Sequence, residues 1–292
     1  MCPPKHYGIK YEINPWMRTS RNADPARAMA QWQDLYNTLT RRLEVQVELI
    51  APNPAWPDMV FTANAGLVVG GKFIVSNFRY PQRAGEACLY WKWFTNHRYT
   101  CVSLPLDHFF EGEGDALWAR GAGSSPVGVS PSRVAGVSPA NPRTAGAPEP
   151  AAPTLLAGYH FRSDSRSDPV LADLLNCRVI GLELREERFY HLDTCLAPLD
   201  ERTAIWYPPA FDDYARRALR EVFPDLIELP PAEAMRFAAN AIVVDRSVVL
   251  NSGCPVLSAE LERRDYQVFP LDLSEFMKAG GAAKCMVLWL ER

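Results

Sequence analysis

Met59-Val60-Phe61-Thr62-Ala63-Asn64-Ala65-Gly66-Leu67-Val68-Val69-Gly70-Gly71-Lys72-Phe73-Ile74-Val75-Ser76-Asn77 reads as two apolar strands joined by a two-glycine turn. Paired glycines accept positive φ at both central positions, which a tight hairpin between right-twisted strands requires. A helical stretch follows over 85–97 and a third strand over 100–104. The same order recurs along the chain. A second unit runs 115–119, 155–162, a helix over 168–175 and a strand over 177–184. A third runs 191–199, a turn at Asp200-Glu201, 203–207, a helix over 212–222 and a strand over 226–229. A fourth runs 240–244, a turn at Asp245-Arg246, 247–251, a helix over 256–264 and a strand over 266–271. A fifth starts with 286–290 and is completed from the other chain end by 8–13, a helix over 25–43 and 45–50.

The expected fold is therefore α/β, a five-fold pseudosymmetric ring of ββαβ units closed by the two chain ends. A repeat of about 45–55 residues is in the range of repeat architectures, and closing the ring buries sheet faces that one unit would leave exposed. Residues 1–292 are expected to form a single catalytic domain. One segment stands apart, a low-complexity insertion at about 121–153. It contains the near-repeat Val127-Gly128-Val129-Ser130-Pro131 and Ala135-Gly136-Val137-Ser138-Pro139, and no aromatic, Leu or Ile. It cannot bury enough apolar surface to offset its ordering entropy, so a disordered surface loop between two partners of one hairpin is expected.

The chain has 292 residues, a formal net charge of −3 and 48% hydrophobic residues. It carries no basic footprint for nucleic acid and no polybasic stretch for a membrane. Met1-Cys2-Pro3-Pro4-Lys5 lacks the apolar run of a secretory signal. No stretch approaches the roughly 18 apolar residues of a membrane-spanning helix. A soluble cytoplasmic protein is expected. The seven cysteines include no C-x-x-C pair, and in a reducing compartment most act as small buried hydrophobes.

Asn64, Glu111, Asp115, His191, Asp193, Asn240 and Cys285 all fall at or near the first strand of a unit. In a closed ring those strand starts converge on one central cleft. In His191-Leu192-Asp193, positions i and i+2 of a strand share a face, which would aim imidazole and carboxylate into one space. Glu111-Gly112-Glu113-Gly114-Asp115 is acidic, with glycines that permit close approach. Gly280-Gly281 frees the backbone just before the Cys285 thiol. Each segment by itself has a plain structural reading: a solvated strand end, an acidic turn, a buried cysteine.

Taken together, they resemble the guanidino-group-modifying enzymes of the pentein (α/β-propeller) superfamily, which includes arginine deiminases, dimethylarginine dimethylaminohydrolases, amidinotransferases and arginine dihydrolases. The resemblance covers nearly the whole chain outside the insertion. Its anchors are Ile13-Asn14-Pro15-Trp16-Met17, Pro57-Asp58-Met59-Val60-Phe61-Thr62-Ala63-Asn64-Ala65-Gly66, the acidic glycine segment, His191-Leu192-Asp193-Thr194, and Gly280-Gly281 with Lys284-Cys285.

The resemblance implies Cys285 as nucleophile, His191 as general acid/base and Glu111 as the acid that orients the histidine, with Glu113 as rival because of an extra residue in this motif. It implies Asp193 on the guanidinium, Arg83 and Arg162 on the substrate carboxylate, and Asn14, Asp58 and Asn64 as further substrate contacts. Deiminases and dimethylaminohydrolases carry an aspartate where this chain has Asn64, and arginine dihydrolases an asparagine. The implied activity is hydrolysis of arginine to ornithine, ammonia and carbon dioxide through a covalent thiouronium. The alternatives are a dimethylarginine dimethylaminohydrolase, an arginine deiminase, an amidinotransferase and, more remotely, a non-catalytic ring that only binds partners. The chemistry calls for no metal or organic cofactor. The implied partner is a small guanidino substrate, with a homo-oligomer as a family-level expectation. A low-pKa Cys285 is expected to react fast with iodoacetamide at neutral pH.

Overall fold

The computed structural model describes residues 1–119 and 152–290. Four three-stranded sheets carry the fold. The first holds Gly66–Val69, Lys72–Val75 and Thr100–Ser103. The second holds Ala116–Trp118, Thr154–Tyr159 and Arg178–Glu183. The third holds Leu196–Pro198, Thr203–Trp206 and Asp225–Glu228, and the fourth Ile242–Val244, Ser247–Asn251 and Gln267–Leu271.

In each sheet the middle strand pairs antiparallel with the first and parallel with the third. A hairpin makes the first pairing. The parallel pairing needs a crossover, which the helices Glu86–Asn96, Ser167–Leu175, Asp213–Val222 and Pro255–Arg263 supply. The Gly70-Gly71 hairpin turn has φ of 55° and 77°, as a primed turn requires.

The proposed insertion lies outside the described residues, but its two flanks are partners, with Ala116 opposite Ala157 and Trp118 opposite Leu155. The hairpin around it closes as expected. The expected fifth unit is not made of strands. No strand is assigned over 8–13, 45–50 or 286–290, although the helix Pro25–Asn37 is present and runs on into a wider turn over Thr38–Arg42. Among the described residues no helix is long and apolar enough to cross a membrane.

Each crossover helix buries one stripe against its sheet. In the first unit Phe94 of the helix stacks on Phe73 of the middle strand, with centroids 3.7 Å apart and an interplanar angle of 9°. Both rings are essentially fully buried. Phe73→Ala is expected to cost about 3–5 kcal/mol by removing the ring and leaving a cavity. Urea unfolding measures this, and a loss below about 1 kcal/mol would mean that the contact does not hold the unit.

The starts of the units differ from the sequence reading. The expected strands over 59–69, 115–119 and 191–199 are shortened, and each is preceded by a 3-10 turn: Pro57–Val60 and Thr62–Ala65, Gly112–Gly114, and Leu192–Thr194. A further such turn, Lys284–Met286, carries Cys285 and runs into the start of the expected strand over 286–290. Side chains returning to the backbone favour these turns. Thr194 Oγ1 donates to the His191 carbonyl at 2.6 Å, and Ser76 Oγ to the Asn64 carbonyl at 2.6 Å. Short runs of apolar residues with one polar residue do not by periodicity distinguish such a turn from a strand. These turns matter because they carry Asn64, Asp193 and Cys285 and begin at Glu111 and His191.

Candidate active site

The acidic turn is built by its glycines. Gly112 has φ of +61°, and a Cβ there would come within 2.6 Å of the Ala63 carbonyl oxygen. A Cβ on Gly114 would lie 2.3 Å from Asn64 Nδ2. Only glycine lets this turn lie flat against the turn that carries Asn64. Packed so, Glu111 at one end of the turn meets His191 from the third unit, with Oε2 2.9 Å from Nε2. Arg162 Nη1 donates to the same oxygen at 3.2 Å and Nη2 to the Ile13 carbonyl at 3.0 Å. The Arg162 guanidinium lies between the rings of Tyr80 and Tyr190, 4.7 and 4.6 Å from their centroids. Burial would raise the Glu111 carboxyl, but Arg162 and then His191 outweigh it and hold the carboxyl well below the usual range.

Glu113 does not take this place. Its Oε2 accepts from Lys284 Nζ at 2.7 Å, and its carboxylate also receives the Trp289 N–H. Asp115, at the other end of the turn, is a brace. Oδ1 accepts the Leu192 N–H at 3.0 Å, beside His191, and Oδ2 accepts Ser163 Oγ at 2.6 Å, beside Arg162. Ser163 Oγ in turn accepts the Glu111 N–H at 2.9 Å. Burial pushes the Asp115 carboxyl up to about 6.

Cys285 lies on its 3-10 turn, 3% exposed. Its sulfur is 3.4 Å from Asp193 Oδ2 and 3.1 Å from Asn240 Nδ2. His191 and Asp193 are thus both directed into the site, but by a tight turn and not by strand alternation. Burial first, and then the Asp193 carboxylate, push the Cys285 thiol well above its ordinary value. This direction is opposite to the lowered value expected from the sequence. Burial likewise pushes Asp193 up to about 7, with Lys284, Cys285 and Asn240 pulling the other way.

Asn64 is fixed by its neighbours. Arg83 Nη1 donates to its Oδ1 at 2.8 Å, and its Nδ2 faces His191 Nδ1 at 3.5 Å. Because a guanidinium only donates, the amide orientation is determined. Arg83 also forks onto Glu86 at 2.9 and 2.8 Å and donates to the Asp58 carbonyl at 3.2 Å. The Asp58 carboxylate accepts from the Tyr11 hydroxyl at 2.9 Å, and burial raises its pKa. Asn14 is at the cleft wall, but its polar atoms are engaged: Nδ2 donates to the Ala279 carbonyl at 3.0 Å, and Oδ1 accepts the Trp16 and Met17 N–H groups.

Asn14, Asp58, Asn64, Arg83, Arg162 and Cys285 all line one narrow cleft. Its walls come from the first and second units, the 13–17 segment and the turn that carries Cys285. His191, Glu111 and Asp193 close the far side through the contacts above. The sequence reading placed Asn240 among the converging residues but gave it no role. It also passed over Tyr190, whose hydroxyl donates to the Gly280 carbonyl at 2.8 Å, and Ser163. The available signal for Asn240 was a lone amide in the apolar run Ala238-Ala239-Asn240-Ala241-Ile242.

A thiol, an imidazole paired with a carboxylate, and a second carboxylate beside the thiol are the groups needed for covalent hydrolysis of a cationic C–N centre. The chain is 37% identical over 288 residues to the N(G),N(G)-dimethylarginine dimethylaminohydrolase of Mycobacterium tuberculosis, covering 99% of this chain and 84% of that protein. The chain belongs to the guanidino-group-modifying enzymes of the pentein superfamily.

Within that family it is 40% identical over 291 residues to the bifunctional arginine dihydrolase/ornithine cyclodeaminase AgrE of Nostoc sp.. That match covers 99% of this chain and 37% of AgrE, so the chain spans little over a third of the bifunctional relatives' length. The crystal structure of the N-terminal domain of ArgZ, an arginine dihydrolase from cyanobacteria, bound to product, superposes with a TM-score of 0.84 at 38% identity, covering 99% of this chain and 95% of that one. An Asn-to-Ser variant of the ArgZ domain has been crystallised covalently bound to a reaction intermediate. No family model matches the chain.

Proposed function

We propose that the chain is an arginine dihydrolase, converting arginine to ornithine, two ammonia molecules and carbon dioxide with Cys285 as nucleophile. The observation that carries the reading is the Asn64 amide. Its carbonyl is bound to Arg83 and its NH2 edge faces His191 across the cleft. The covalent intermediate in the ArgZ domain supports the same kind of chemistry.

The substrate guanidinium sits between Asp193 and Cys285 and, as a cation, favours the thiolate that the empty cleft disfavours. The thiol proton passes to His191, which Glu111 holds as imidazolium. The sulfur pair forms the S–C bond. The C–N bond breaks as His191 protonates the leaving ammonia, giving the thiouronium. His191 then takes a proton from water. The new C–O bond forms, and the S–C pair returns to sulfur, leaving citrulline. A second round attacks the neutral ureido carbon, expels the second ammonia and hydrolyses the thiocarbamate to a carbamate, which loses carbon dioxide. Arg83 and Arg162 are assigned to the substrate carboxylate, although Arg83 is forked onto Glu86 and Arg162 is bound to Glu111 and the Ile13 carbonyl, so the assignment requires them to use their remaining N–H groups or to exchange partners when substrate binds; Asp58 and Asn14 shape the wall around it.

The same reading takes 1–292 as one cytoplasmic catalytic domain and the four sheets as four of five units in a closed ring. Leu288 and Leu290 pack against the core cluster that holds Cys2 and Ile50, which supports terminal segments joined at the fifth position. A second reading is a dimethylarginine dimethylaminohydrolase, favoured by the M. tuberculosis relative, 84% of whose length is matched.

Mass-spectrometric identification of products from arginine, asymmetric dimethylarginine, citrulline and N-succinylarginine decides between them. Ornithine with about two equivalents of ammonia from arginine is expected. Citrulline as the sole product, or methylamines with arginine untouched, sinks the dihydrolase reading.

The Asp193 carboxyl gives a pH signature. Its value of about 7 means that it is partly protonated in the unliganded cleft, whereas a bound guanidinium favours its carboxylate. Binding therefore releases a proton when the pH is below that value, and arginine affinity is expected to fall by up to roughly tenfold per pH unit there. Calorimetric titration of a Cys285→Ala chain measures this; a flat affinity between about pH 5 and 7 would remove Asp193 from the guanidinium subsite.

A further inference from the structure

Asn240 is completely buried, and all four of its side-chain hydrogen-bonding positions are occupied. Oδ1 accepts the backbone N–H of Ala282 at 3.0 Å and of Cys285 at 3.2 Å. Nδ2 donates to the Asp193 carbonyl at 3.0 Å and to the Cys285 sulfur at 3.1 Å. Both partners of Oδ1 can only donate, so the amide cannot be turned over. Its NH2 is aimed at the sulfur by the turn that carries the sulfur. The backbone closes the same loop, with the Lys284 N–H donating to the Asn240 carbonyl at 3.2 Å. Oδ1 alone would hold the turn. An NH2 directed at the reacting atom serves a different purpose.

We propose that Asn240 is a catalytic residue whose side-chain amide stabilises the Cys285 sulfur as an anion, both when it attacks the guanidino carbon and when it is expelled from the thiouronium. A hydrogen bond to a thiolate is charge-assisted and stronger than one to a thiol or a thioether, so it favours the two points at which sulfur carries the electron pair. The need is evident from what surrounds the sulfur. Asp193 faces it from the third unit, and its negative charge opposes a thiolate. Tyr190 is buried nearby. Lys284 is next in the chain but is paired with Glu113. Arg83 and Arg162 line the same cleft but are paired with Glu86 and Glu111. Besides the substrate cation, the donors that favour the anionic sulfur are the Ala282 N–H and the Asn240 amide, and Asn240 is the one that brings a side chain to it.

The inference rests on the guanidino-hydrolase reading only for the identity of the electrophile, so its test is made on the thiol itself. The rate of Cys285 alkylation by iodoacetamide is measured against pH in the full chain by peptide mass spectrometry. Wild type is compared with Asn240→Asp, which keeps the acceptor for both N–H groups but loses the donor, and with Asn240→Ser, whose hydroxyl can donate. In Asn240→Asp the alkylation rate is expected to fall about tenfold or more at every pH below the thiol midpoint, a displacement of at least about one unit. Asn240→Ser is expected to lie between the two. With arginine, kcat is expected to fall about a hundredfold with KM changed less than about threefold.

Coincident alkylation profiles in folded Asn240→Asp and wild type would overturn the proposal. Should neither variant fold, the wild-type chain decides. One Asn240 side-chain NH2 proton resonance is expected to shift between wild type and Cys285→Ala in asparagine-labelled protein, and an unshifted pair overturns the hydrogen bond. A wild-type chain that turns over no guanidino compound sinks the functional reading and leaves this comparison intact.

Discussion

Asn64→Asp is expected to change the end product of arginine hydrolysis from ornithine to citrulline. Arg83 Nη1 already occupies the Asn64 carbonyl at 2.8 Å, which leaves the NH2 edge facing the cleft. That edge can donate to the oxygen of a ureido group. An aspartate keeps the bond to Arg83 but presents an acceptor where a donor stood. The guanidinium of arginine, which only donates, is bound as well or better. Citrulline, whose oxygen would then face a carboxylate oxygen, loses a hydrogen bond and gains a repulsion. An unsatisfied polar group of this kind costs about 1–3 kcal/mol or more, and about 3 kcal/mol is over a hundredfold in affinity. The citrulline-to-ornithine ratio from arginine, followed by mass spectrometry, is expected to rise by about two orders of magnitude, with arginine consumption within tenfold of wild type. A variant that still yields ornithine as its only product would show that Asn64 is not what commits the chain to a second hydrolysis.

Glu111→Gln is expected to lose both turnover and stability. Glu111 Oε2 is shared by His191 Nε2 at 2.9 Å and Arg162 Nη1 at 3.2 Å, with the carboxylate fully buried. Neutralising it leaves the Arg162 charge buried without its counter-ion. Breaking one side of such a pair costs about 3–5 kcal/mol. The imidazolium that must form on His191 also loses its partner, and general acid/base catalysis of this kind contributes about 10²–10⁴-fold. The sign of the pH effect follows from the direction of the shift. The Glu111 carboxyl is held well below its ordinary value, so its contribution to stability is fully present above that ordinary value and is lost only as pH falls through the depressed one. Denaturant unfolding at neutral pH, with kcat measured at a temperature where the variant is folded, tests both parts. A fully stable Glu111→Gln chain with wild-type kcat would show that Arg162 and His191 do not depend on the carboxylate. Glu113→Gln is the contrast: it breaks the pair with Lys284 and leaves His191 paired.

The two rival acids show where sequence stops. Glu111 and Glu113 share one residue type, one motif and the same flanking glycines. Only the direction in which the turn departs at Gly112, with φ of +61°, sends one to the histidine and the other to Lys284. The same holds at His191 and Asp193. Both were recognisable as site residues from their spacing, but the geometry that joins them is a 3-10 turn, whose i to i+3 bonds have no periodic signature in so short a segment.

The repeating order of hairpin, helix and parallel strand was legible because it is written in local pattern: apolar runs of strand length, the Gly70-Gly71 turn and amphipathic helices. The convergence of Cys285, His191, Asp193, Asn64 and Glu111 on one place was legible because polar side chains recur at the start of successive units. Burial and the partners it imposes were not legible. The Cys285 thiol is raised instead of lowered because it lies beside Asp193 in a closed cleft, and those two residues are 92 positions apart in the chain. Asn240 acquires a role only when the fourth unit and the nucleophile turn meet, 45 positions apart. Residue type, local conformation and order along the chain are properties of the sequence. Proton affinities and the aim of a buried amide are set by desolvation and by neighbours from distant segments, which exist only once the units have packed.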